Sequence, residues 1–94
     1  MSKEAYQQKA EAKLEQQKAE VAKARAKVKG ATADARLDAE KELEGLEAKL
    51  DEAKKKLAQI RDAGEDAWED LSKGLENAWD DISGAAKKIV GRFS

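Results

Sequence analysis

Residues 67–83 read AWEDLSKGLENAWDDIS, and the first six residues nearly return as the last six. Ala67-Trp68-Glu69-Asp70-Leu71-Ser72 is followed eleven residues later by Ala78-Trp79-Asp80-Asp81-Ile82-Ser83. Both tryptophans of the chain therefore occupy the same position of a repeat. The columns extend on either side: Leu57, Trp68, Trp79 and Val90 are spaced by eleven, as are Ile60, Leu71, Ile82 and Phe93, and likewise Gly64, Leu75 and Ala86. Eleven residues make three turns at about 3.67 residues per turn, so such columns form one nearly straight apolar face on a helix. Glu69-Asp70 and Asp80-Asp81 fall away from that face, toward water.

Upstream the period changes. Leu43, Leu46, Leu50, Ala53, Leu57 and Ile60 alternate three-four spacings, the heptad pattern of a helix with one packed seam. A weaker seam of the same kind runs through Ala10, Leu14, Gln17, Val21, Ala24 and Val28. Between them lies Lys29-Gly30-Ala31-Thr32-Ala33-Asp34. Gly30 suits a left-handed helix end, Thr32 suits an N-cap, and Asp34 would sit in the next first turn. The pattern predicts helices over residues 3–29 and 33–62 with a turn at 30–32. Folded there, positions summing to about 64 face each other. Val21 then meets Leu43, Leu14 meets Leu50, and Leu57 falls beside Tyr6 or Gln7. Gly64 marks a kink or short break, while Gly74 and Gly84 are expected to admit a neighbouring helix or a tryptophan ring.

Composition agrees with helix and with little else. The chain has no proline, 41% of its residues are charged, and its only aromatics are Tyr6, Trp68, Trp79 and Phe93. Ala, Glu, Lys, Leu and Gln are strong helix formers. So few bulky side chains argue against a compact globular core and for an extended helical assembly. Net charge is −1, unevenly spread. Residues 1–30 hold eight Lys or Arg against four Glu, residues 31–64 seven basic against nine acidic, and residues 65–94 four against seven. A basic head and an acidic tail favour packing on one another, within a chain or between chains.

The residue inventory narrows the chemistry. With no histidine and no cysteine, Ser-His and Cys-His nucleophile pairs cannot form, and no disulfide framework exists. Carboxylates at helical spacing are abundant, among them Glu40 with Glu44, Glu47 with Asp51, and Glu76 with Asp80. Such pairs belong to a solvated helix face, so no catalytic residue, metal site or cofactor is expected. The basic positions Lys9, Lys13, Lys18, Lys23, Arg25, Lys27 and Lys29 are diluted by Glu11, Glu15 and Glu20 and lack interleaved aromatics, so nucleic acid is not an expected partner. The start MSKEAYQQK is polar, with no apolar core of a secretory signal, and no apolar stretch approaches the roughly 20 residues that cross a bilayer. A cytoplasmic protein is expected.

The eleven-residue amphipathic repeat with tryptophan is similar to the lipid-surface helices of exchangeable apolipoproteins and synucleins, and to the 11-mers of late-embryogenesis-abundant proteins. That likeness implies reversible lipid contact or a stress-protective role. Against it, residues 65–82 carry seven acids and the single lysine Lys73, which repel anionic headgroups. Asp34-Ala35-Arg36, the stretch Glu40 to Glu44, residues 66–81 with both tryptophans, and Arg92-Phe93 together resemble a group of small bacterial coiled-coil proteins. This likeness brings no catalytic or ligand residues.

The sequence thus predicts an all-α chain: an extended antiparallel helical hairpin (a coiled coil) over residues 1–62, continuing into an amphipathic eleven-residue-repeat helix over residues 63–94. A hairpin leaves nothing in the same chain to cover the tryptophan face. The expected interface is therefore Leu57, Ile60, Trp68, Leu71, Leu75, Trp79, Ile82, Ala86, Ile89 and Phe93, joining copies into a homo-oligomer, a dimer or tetramer. The expected function is that of a non-catalytic structural or interaction protein, not an enzyme. A further protein partner is compatible with this, and a membrane surface is the second candidate.

Overall fold

The helix-forming composition is expressed along the described residues. The computed structural model describes residues 1–93, which form three helices and no strand. Helix α1 spans Lys3–Lys29, α2 spans Ala33–Asp62 and α3 spans Ala67–Arg92. Ser2 starts α1, its hydroxyl accepting from the Ala5 N–H at 3.1 Å, with Glu4 in the first turn at the positive end of the helix dipole.

The first turn is made without the left-handed glycine that the sequence suggests. Gly30 has φ −83° and ψ −3°, a right-handed conformation. Its N–H donates to the Ala26 carbonyl and that of Ala31 to Val28, each at 3.1 Å. The chain therefore leaves α1 by tightening its last turn, which satisfies those carbonyls with no change of hand. Thr32 stands at the N-cap of α2, but its hydroxyl caps nothing. The two helices run antiparallel: Gln7 and Leu14 share a groove with Leu57, and Arg25 pairs with Glu47 at 2.7 Å.

The larger correction concerns α3. It does not extend the hairpin into an uncovered helix. The chain turns back over Ala63–Asp66, and α3 packs against both α1 and α2. The molecule measures 49 × 18 × 15 Å, whereas α2 alone is about 45 Å long at about 1.5 Å per residue. Three helices must therefore lie side by side, in an up-down-up bundle whose α1 and α3 are parallel. The premise that nothing in this chain covers the tryptophans fails, because the hairpin offers a groove that the third helix fills.

Each helix gives one stripe to a common core. From α2 come Ala39, Leu43, Leu46, Leu50, Ala53, Leu57 and Ile60, in unbroken three-four spacing. From α1 come Tyr6, Ala10, Gln17, Val21, Ala24 and Val28. Four of these are alanines, Ala10, Ala24, Ala39 and Ala53, which contribute little bulk themselves. The large side chains of α3 supply much of the bulk.

Candidate functional site

With the surface so strongly charged, the chemistry-bearing feature is the apolar face of α3 and the hinge that delivers it. Trp68, Leu75, Trp79, Ile82, Ala86 and Ile89 are buried, while Leu71 and Phe93 are half-buried at the edge of the same stripe. Leu57 and Ile60, the remaining members of the sequence-derived face, are buried on α2. The structure thus brings all ten residues into one intramolecular core. Trp79 is 3% exposed at mid-helix, and Trp68 is 8% exposed near the hinge. Gly74 and Gly84 admit nothing: a methyl group added at either would meet open space.

Polar contacts fix how α3 lies along α1. Tyr6 Oη donates to the Ser72 carbonyl at 3.3 Å, and Gln17 Nε2 donates to Ser83 Oγ at 2.9 Å. Both steps join residues 66 apart, and both serines close the same repeat unit. Tyr6 and Gln17 are themselves eleven apart, so the repeat of α3 is answered on α1 by two polar groups. The sequence carried that signal in Tyr6 and in Gln17 of the α1 seam, but both read as facing α2. Ser83 Oγ also reaches Glu20 Oε2 at 3.4 Å. Gln17 is fully buried, and its Oε1 has no hydrogen-bond partner, so this layer carries a desolvation cost that an apolar residue would not.

At the hinge end, the Tyr6 and Trp68 rings lie 5.6 Å apart at a 40° tilt. Burial, and after it the charge of nearby Glu76, push the Tyr6 hydroxyl up to about 12, so it stays protonated. Lys3 Nζ donates to the carbonyls of Arg61 and Ala63, each at 2.9 Å. At the opposite end Arg92 pairs with Glu42 at 2.7 Å, tying the last turn of α3 to α2.

The carboxylate pairs noted in the sequence stay on helix surfaces, and Glu47 is engaged by Arg25. Among the described residues, no group of three or more Asp or Glu comes together in a form that could hold a metal ion. Grooves between the helices are shallow. One of about 380 Å³ runs between α1 and α3, lined by Tyr6, Lys9, Lys13, Glu76 and Trp79. Among the described residues no helix is long and apolar enough to cross a membrane. Comparison with protein-family models, with curated proteins and with solved structures finds no match to this chain.

Proposed function

We propose that this chain is a non-catalytic interaction protein whose working surface is the apolar face of α3, stored against its own hairpin and exchanged with the hairpin of a second copy. The observation that carries this reading is the placement of the stripe. The one strongly apolar helix face belongs to the helix that follows the four-residue link Ala63–Asp66, and it is packed there against the hairpin of the same chain. Every contact that α3 makes in its own bundle is available from a second hairpin, so exchange requires no new complementarity. The rest of the described surface offers little else for an apolar partner, since Met1 and Leu37 are its only exposed large hydrophobic residues. In this form the self-association expected from Trp68 and Trp79 is an alternative use of a closed core.

The test is subunit exchange. Two preparations carrying donor and acceptor fluorophores on exposed positions of α2 are mixed at high concentration, and mass is followed by sedimentation. Exchange predicts a slow rise of energy transfer and a dimer fraction that grows with concentration. A monomeric mass at all concentrations, even after unfolding and refolding at high concentration, refutes it.

A second reading is supported by the same helix. The tryptophan-bearing face is the most one-sided apolar face of the three, as interfacial helices require. Its acidic flank restricts that reading to uncharged surfaces. Quenching of tryptophan emission by neutral vesicles with brominated acyl chains, without a dimer, would place it first.

A further inference from the structure

A helix that leaves its bundle must first be freed where the chain turns. Asp62 is the last residue of α2, and Ala63 is already extended, with ψ 152°. Helix ends leave carbonyls without intrahelical donors and concentrate negative potential there. In this chain the Arg61 and Ala63 carbonyls flank the departure point, and both accept from one ammonium, that of Lys3. A single cation bridging two carbonyls across the bend fixes the backbone between them.

Lys3 is itself held. It is the first residue of α1, on a turn anchored by the Ser2 hydroxyl and by the Tyr6 N–H donating to the Ser2 carbonyl at 3.0 Å. One turn further on, Tyr6 packs on Trp68 and bonds Ser72. A short piece of α1 thus grips both the hinge and the start of α3. Around Lys3 the hinge cleft, about 600 Å³ in volume, is lined by Glu4, Glu65, Asp66 and Glu69, together with Met1, Ser2, Gly64 and Trp68. Loss of the ammonium charge would leave those carboxylates facing two uncapped carbonyls.

We propose that Lys3 is the latch of the α2–α3 hinge, its ammonium holding the turn closed and thereby setting how readily α3 leaves the bundle. The regulatory consequence rests on the exchange reading above. The latch itself acts within one chain and is tested there. Two amides report the hinge: Ala63 N–H bonded to Ile60, and Trp68 N–H bonded to Gly64, each at 3.2 Å.

Hydrogen exchange by NMR is measured at low concentration on the parent, on Lys3→Gln, which loses the charge on a side chain one atom shorter, and on Lys3→Arg, which keeps charge. Lys3→Gln should speed exchange at both hinge amides on the order of ten-fold, while Lys3→Arg stays within about three-fold of the parent. Core amides such as Leu50 check that each variant is folded. Hinge amides in Lys3→Gln within about two-fold of the parent, or equal acceleration in Lys3→Arg, would overturn the latch. Subunit exchange in the parent with an unaltered hinge in Lys3→Gln sinks the latch alone. Hinge acceleration with no subunit exchange sinks the exchange reading and leaves the latch standing.

Discussion

Replacing Trp79 with Ala tests the central claim that the tryptophan face is buried within one chain. Trp79 is 3% exposed and sits midway along α3. Removing its indole takes away on the order of 200 Å² of buried surface, worth about 5 kcal/mol as an upper bound at about 25 cal/mol per Å². Measured truncations of large buried side chains cost about 3–5 kcal/mol, since a cavity partly remains. Set against about 5–14 kcal/mol for a domain of this size, that is a large fraction of its stability. Urea unfolding followed by circular dichroism should give a loss near 3–4 kcal/mol, and melting should drop by roughly 12–25 °C. The decisive control is concentration. For packing in cis, parent and variant curves at low micromolar protein each superimpose on curves taken at tenfold dilution. A loss below about 1 kcal/mol would show that Trp79 is not buried, and a midpoint that falls on dilution in the parent would show that another molecule covers it.

Three further outcomes are expected. Gly45, Gly74 and Gly84 lie inside helices with open space where a methyl would go, so each Gly→Ala change should stabilise by about 0.5–1 kcal/mol in urea titrations; destabilisation would mean that a neighbour packs there. Gln17→Leu removes a fully buried amide whose Oε1 is unpartnered, and should leave stability unchanged or raise it by about 1 kcal/mol; a fall beyond that would make the Gln17–Ser83 bond worth more than its desolvation cost. Tyr6 is raised from 10.0 to about 12, so its contribution is fully present below pH 10 and is lost as pH climbs toward 12, where the unfolded chain ionises first. Parent melting temperatures should therefore fall more steeply over that window than those of Tyr6→Phe; parallel curves would remove Tyr6 as the cause.

The sequence by itself determined the helical state and the faces. No proline, a strong helix-forming composition and regular apolar spacing leave three helices as the consequence, interrupted where Gly30 and Gly64 fall. The α2 seam is legible residue by residue, because three-four spacing on one helix specifies one stripe whatever lies opposite. Leu75, Trp79 and Ile82 read equally well as residues that must be covered. What covers them was not legible. An apolar stripe encodes the need for a partner surface but not whether that surface is in the same chain, and periodicity is silent on the direction in which a four-residue link sends the next helix. The groove between α1 and α2, against which α3 packs, settles that choice, and it exists only once those two helices are side by side. The polar contacts follow the same rule. Lys3 looks like an ordinary surface letter in the sequence, while Tyr6 and Gln17 read as facing α2, and all three acquire partners 58 to 66 residues away only when α3 is laid parallel to α1. Local propensity acts over a turn or two and so can be read from neighbours, whereas packing is decided by distant surfaces that meet only in the folded chain.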